Sequence, residues 1–291
     1  MADALVTAPG VADQAALEPR AVHSAAASTG PASVARDLID GLSRRTVWQT
    51  FAWDEIQQRY NRSVLGIFWI AGSFGVFVAS IAVFFGGFAT LGTSTFVAYV
   101  TVGFAAFTFL TGNLTDGCAV FRSSAGWIQS SPLPYSIYVY KSVARSAFTF
   151  ALQLGFGLFI LLAFFGWRPG PLSLLAVPVI GLYLLNAVWI QYALGLLAAR
   201  WGDVEHVVAT AQRVLFFTTP ILWVYEERSG TVRRLADLNP LTHFVQLLRA
   251  PLLGDAPGAG SVLFVVAFTA AGWALTLLAA GRMRRRLPFW L

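Results

Sequence analysis

SVLGIFWIAGSFGVFVASIAVFFGGFATLGTSTFVAYVTVGFAAFTFLTGNLT, residues 63–115, contains no Asp, Glu, Lys or Arg. One bilayer crossing takes about 20 apolar residues, so the run holds two crossings and a turn. In lipid, the backbone's own polar groups are satisfied only by helices or closed barrels. The run predicts a helical hairpin in a membrane, with spans over about 64–85 and 96–114. Gly86, Gly87, Gly92, Thr93 and Ser94 mark the turn.

The rest of the chain carries the same signature. Its 291 residues are 57% hydrophobic and 12% charged, against about 25% charged in soluble domains. Uncharged runs over 146–167, 169–199 and 256–281 supply a third, a fourth and a sixth span, and Pro178 is an expected kink in the fourth. A fifth, over about 207–225, carries Arg213 two turns in, where a long side chain still reaches the interface. The expected fold is an all-α membrane protein of six transmembrane helices. Basic residues divide fifteen to five in favour of the side holding both ends, which places both termini in the cytoplasm.

The net charge of +6 flanks apolar spans, which points to a membrane surface and away from nucleic acid. Cys118 is the single cysteine, so no intrachain disulfide forms, and it reads as a small buried residue. His23, His206 and His243 are too far apart for a zinc site.

Three segments interrupt the span pattern. Residues 1–42, rich in Ala, Ser, Gly and Pro, read as a disordered cytoplasmic tail. Residues 43–62 read as an amphipathic interface helix: Trp48, Phe51, Ala52, Ile56 and Tyr60 recur at spacings of three and four, with Trp48 and Trp53 at headgroup level. Residues 63–291 then form the membrane domain. Before its last span, LNPLTHFVQLLRAPLLG (238–254) opens with Asn239 as a cap and Pro240 in the first helical position, and is stopped by Pro251 and Gly254. A helix of about ten residues does not cross a bilayer, so it is expected to be a re-entrant or interfacial helix on the outer side.

Ionisable residues are almost absent from the spans, which argues against coupling to an ion gradient. The one lysine, Lys141, follows Tyr140, so no GxxxxGK phosphate loop exists and active transport would need a separate ATPase. His206 with Asp203 and Glu205 is a conceivable acid–base group, but a charged turn making protein contacts is the plainer reading. Trp189 and Tyr192, with Asn186 and Gln191 nearby, offer the apolar wall and hydrogen bonds that suit sugars.

Four motifs in order, RYNRSVLGIFW (59–69), SSPLPY (130–135), RWGDVEHVV to TPILW (200–223) and LNPLTHFVQLLR (238–249), resemble the permeases of the polysaccharide and polyol phosphate exporters. These are type 2 ABC transporters of bacterial O-antigen, capsule and teichoic acid, and the resemblance covers residues 43–291. It implies a homodimer in the bacterial inner membrane that works with two copies of a nucleotide-binding ATPase. That partner would bind ATP and Mg, so this chain would have no cofactor and no catalytic or metal site of its own. It also implies a lipid-linked polysaccharide as substrate, passing between the two halves among membrane lipid. By resemblance, Arg59, Tyr60, Arg62, Ser63, Gly66 and Trp69 form the junction of interface helix and first span. Arg122, Trp127, Ser131, Pro132 and Pro134 lie in the ATPase coupling loop, and Arg200, Asp203 and Glu205 in the second cytoplasmic loop. Asn239, Pro240 and Arg249 belong to an outer gate, and Phe68, Tyr183, Trp189, Tyr192 and Trp223 are candidates for the channel wall. Where many members read RYRRS, this chain has Asn61. The alternatives are a drug or lipid exporter on the same fold, and a membrane-embedded glycosyl or acyl transferase.

Overall fold

Gly92 begins the helix around which the others gather. The computed structural model describes residues 30–61, 63, 65–85, 87 and 92–291. The elements are α1 (Pro31–Ser43), α2 (Arg45–Tyr60), α3 (Phe68–Phe85), α4 (Thr93–Ala119), α5 (Ala125–Ser130), α6 (Ser136–Phe164), α7 (Ala176–Arg200), α8 (Asp203–Thr218), α9 (Gly230–Leu238), α10 (Pro240–Leu253), α11 (Ala259–Met283) and α12 (Leu287–Trp290). Among the described residues, α3, α4, α6, α7 with the turn before it, and α11 are long and apolar enough to cross a membrane. This is a multi-pass membrane protein. The expected hairpin is α3 and α4; Gly86 of its turn, Val64 and Arg62 lie outside the described residues.

The central helix is α4, whose most apolar window is 72% buried against 22–28% in the other four. It touches α3, α6, α7, α8 and α10. Ala98, Gly103, Ala105, Ala106 and Gly117 are all buried along it, and small side chains let neighbouring helices approach closely. The outer helices turn large apolar residues outward, among them Phe84, Phe159, Val177 and Leu263. In water that surface would drive aggregation; in lipid it is the ordinary exterior.

Amides join the spans. Gln191 Nε2 on α7 donates to Asn113 Oδ1 on α4 at 2.6 Å, and Asn186 Nδ2 donates to Thr269 Oγ1 on α11 at 2.8 Å. Asn186 and Gln191 were expected beside a sugar path. Both are buried and hold helices together, because an amide in an apolar interior needs a partner and the next helix offers one.

Two expectations change. Residues 31–42 of the expected tail are not disordered: α1 is a helix with Pro31 in its first turn and Ser33, Val34, Asp37 and Gly41 buried. The expectation for residues 1–29 lies outside the described residues. The fifth span, expected over 207–225, is a 16-residue helix, α8, with no buried residue, followed by non-helical chain. Proline disfavours the helical conformation in the residue before it, and Thr219, preceding Pro220, is extended at φ −83° and ψ 133°. The chain therefore leaves the helix at Thr218.

Both ends of the described chain meet. Gly30 N–H donates to Gly281 O at 3.2 Å, and α1 packs on α11 and α6. This end of the bundle also holds α2, α5 and the α7–α8 turn. Thr95, Tyr225 and Asp255 converge at the opposite end.

Candidate functional site

At the end where the termini meet, the SSPLPY segment is fixed from outside itself. Its own residues give α6 no side-chain cap. Asp37 of α1 supplies one: its carboxylate accepts from Tyr135 N–H and Ser136 N–H, both at 2.9 Å, and pairs with Arg284 at 3.1 Å. Ser136 Oγ bonds back to Asp37 O, Arg284 also donates to Ser33 O at 2.8 Å, and Gly41 leaves no room for a Cβ against Ser136. Burial pushes the Asp37 carboxyl up, and the Arg284 guanidinium and the two backbone N–H groups pull it partly back. Neither Asp37 nor Arg284 was among the expected site residues. The signal available was Pro31 followed by Val34, Leu38 and Gly41 at helical spacing.

Helix α2 is held by charge as well as by packing. Glu55 accepts from Lys141 and from Arg145 Nη1, the latter at 2.9 Å, and Arg145 Nη2 reaches Asp116 at 3.0 Å. Ser146 Oγ donates to Asp116 at 2.7 Å. Trp48 lies against Tyr140 and Trp53 stands edge-on to Phe148, both from α6. Arg59 and Asp116 line a small polar cleft of 140 Å³ with Thr108 and Gln153. Tyr60 is half-buried; Ser63 and Trp69 are exposed, and Gly66 sits in the intervening turn at φ 53°.

Two expected loops are brought together. Arg122, between α4 and α5, pairs with Glu205 in the first turn of α8. Trp127 of α5 is 56% exposed while resting on Phe51 of α2, and Ser131, Pro132 and Pro134 form the extended strap into α6. Asp203 and His206 are exposed at the start of α8, and Arg200 stacks on Trp201 and Trp290.

At the opposite end, Asn239 is the cap the sequence predicts: its Oδ1 accepts from Leu241 N–H at 2.9 Å, with Pro240 at the first position and Gly254 left-handed at the stop. Asn239 Nδ2 also donates to Thr218 and Thr219, so the end of α8 and the start of α10 share one side chain. α10 is a 14-residue helix sunk into the bundle against α4, α7 and α11. Its Arg249 is 1% exposed. The guanidinium lies 3.5 Å from the Tyr99 ring centre and donates from Nη2 to Pro220 O at 2.8 Å, over Gly103, where a Cβ would overlap it. Arg249 lines a 560 Å³ cavity with Tyr99, Glu226, Gln246, Asp255 and Ser261. Nearby, burial and the Asp237 carboxylate push the Tyr225 hydroxyl up, and Arg233 stacks on its ring.

The five aromatics expected along a channel separate. Tyr183 and Tyr192 are fully enclosed; Tyr183 donates to Phe244 O at 2.6 Å, and Tyr192 lies edge-on to Phe121. A ring enclosed on all sides offers no wall, so these two are core residues. Half-buried Trp189 donates to Asn186 and packs over Gly272, facing an apolar groove between α7 and α11. Phe68, 80% exposed, and Trp223, half-buried, remain at the surface. No family model matches the chain, and no characterised protein matches it significantly.

Proposed function

We propose that this chain is the membrane subunit of an ATP-driven exporter that carries a lipid-linked polysaccharide across the bacterial cytoplasmic membrane, with both termini cytoplasmic. The motif resemblance supplies the family. The observation that carries the reading is the linkage at the end where the termini meet: the 120–136 segment presents Trp127 outward, yet is tied through Arg122 to α8 and, at Tyr135 and Ser136, through Asp37 to α1 and to Arg284 at the end of α11. A partner pressing on that segment moves three helices at once. A chain without its own phosphate loop needs such a lever.

In this reading α8 completes the six crossings as the fifth in chain order, about 24 Å long at about 1.5 Å per residue, continued by the non-helical Thr219–Val224 segment. α3 and α8 flank α4 and turn Trp69, Val76, Phe84, Val214 and Phe217 outward. A second copy of the chain would cover these faces and place Phe68 and Trp223 along a path between the subunits. The α9–α10 pair would close that path on the outer side.

The test is purification of the tagged chain from its own host together with any ATPase it retains. The ATPase is expected to co-purify, and Arg122→Glu or Trp127→Ala is expected to cut coupled hydrolysis at least about tenfold, roughly 1.4 kcal/mol of interface energy, with the subunit's melting temperature unchanged. A chain that retains no ATPase, or that moves polymer without one, overturns the reading.

A further inference from the structure

The groove between α7 and α11, of 380 Å³, is lined by Leu197, Leu275, Ala279 and Met283, with Trp189 and Phe268 at its far end, and holds no charged side chain. It is open along α11, where Leu275 is 67% exposed. Its polar atoms are withdrawn: Trp189 Nε1 is held by Asn186, and Thr276 is buried. The groove follows α7 from Trp189 to Leu197 and α11 from Phe268 to Met283. Those are about 12 Å and about 22 Å of helix, which bracket the roughly 15 Å depth of one leaflet's hydrocarbon.

Both helices end at basic residues, at the end of the bundle where the termini meet. Residues three, four and seven apart share a helix face, so Arg200 continues the row of Leu196 and Leu197, and Arg282 that of Leu275 and Ala279. The two ends are joined, since α12 packs on α7 and the Trp290 ring centre lies 5.6 Å from the Arg200 guanidinium carbon. Arg200 and Arg282 are exposed, and among the described residues neither pairs with a carboxylate. Exposed Arg286 adds a third charge, while Arg284 and Arg285 have partners of their own. Of the carboxylates in the α7–α8 turn, Glu205 is taken by Arg122 and Asp203 is left; on α1, which packs on α11, Arg36 offsets Asp40. Three arginines against Asp203, even with the Leu291 carboxylate counted, leave the mouth positive.

An acyl chain fits the groove and a phosphate answers the arginines, and one molecule carries both. A free phosphate leaves the groove empty, and a zwitterionic lipid brings its own cation to the mouth. A second copy seated here across a two-fold axis normal to the bilayer would set arginines against arginines. We propose that the α7–α11 groove binds an anionic glycerophospholipid of the bilayer, with an acyl chain along Trp189 and Ala279 and its phosphate on Arg200 and Arg282. The site requires only a bilayer; it goes beyond the export reading and lies away from the α3 and α8 faces that reading gives to a second copy.

Quenching of tryptophan emission by lipids with brominated chains tests it on the full chain in phosphatidylcholine vesicles. The difference between the protein and its Trp189→Phe variant isolates the signal of the groove. Brominated phosphatidylglycerol is expected to quench Trp189 with about tenfold higher affinity than brominated phosphatidylcholine. Arg200→Gln combined with Arg282→Gln is expected to abolish that preference while leaving quenching by phosphatidylcholine and the melting temperature unchanged. Ala279→Phe, which fills the groove and keeps the charge, is expected to lower phosphatidylglycerol affinity likewise. Equal affinity for the two lipids overturns the assignment, as does a preference that survives the arginine substitutions. So does a Trp189 that no lipid quenches, the result for a groove covered by a second copy. Displacement of phosphatidylglycerol by a smaller amount of a long-chain isoprenoid phosphate also overturns it, and would make the groove a carrier-lipid site.

Discussion

Asp37 and Arg284 form a buried ion pair whose geometry is complete on the carboxylate side, with two backbone N–H groups and a guanidinium around it. Removing one partner of such a pair is far more costly than replacing both, because the remaining charge keeps its desolvation penalty. Asp37→Ala is expected to destabilise the protein by about 3–5 kcal/mol, read as a fall in melting temperature in nanodiscs, with part of the loss recovered in Asp37→Ala combined with Arg284→Met. Gly103→Ala puts a methyl into the Arg249 guanidinium; overpacking of this kind costs about 1–3 kcal/mol, measured the same way. These residues were the hardest to read in the sequence. A charge on the buried face of α1 spoils the apolar period, and the groups that satisfy Asp37 lie 98 residues onward, at Tyr135, and beyond. Asn239 was legible because its partner is two residues away.

Helices were legible where the signal is local. The hairpin of α3 and α4, the place of α2, and the cap of α10 follow from uncharged length, apolar spacing, and Asn and Pro at the helix start. Pro251, expected to stop α10 after about ten residues, lies inside it, and the helix runs 14 residues to its stop at Gly254. The length of α8 was misjudged because apolar content continues to Tyr225, while the backbone is turned by Pro220. The asparagine cap also bridges two elements: Asn239→Ala should cost about 1 kcal/mol for the lost cap, and more for the bonds to Thr218 and Thr219. Thermal unfolding checks the sum. Asn239→Ser, which keeps the cap but not the reach, separates the two contributions.

For the molecule as a whole, the uncharged runs fixed the class, while the gathering of helices on α4 shows in the sequence only faintly, in a span less apolar than the other four and lined with small residues. Sidedness is open to a direct measurement. With Cys118 replaced, cysteines at Ser43 and Arg286 are expected to react with an impermeant maleimide from one side of sealed vesicles, and a cysteine at Ala256 from the other; all three positions are exposed. Reaction of Ser43 and Arg286 positions from opposite sides would break the topology.

The contact between Gly30 and Gly281, backed by Asp37 and Arg284, also bears on how the protein is made. Translation delivers α1 before Arg284, so Asp37 stays without that partner until the helices between them have been made. The contact is thus a stitch that closes only after α11 is complete. A ribosome-arrested chain lacking residues beyond 280 should leave α1 open to protease, and release of the full chain should protect it.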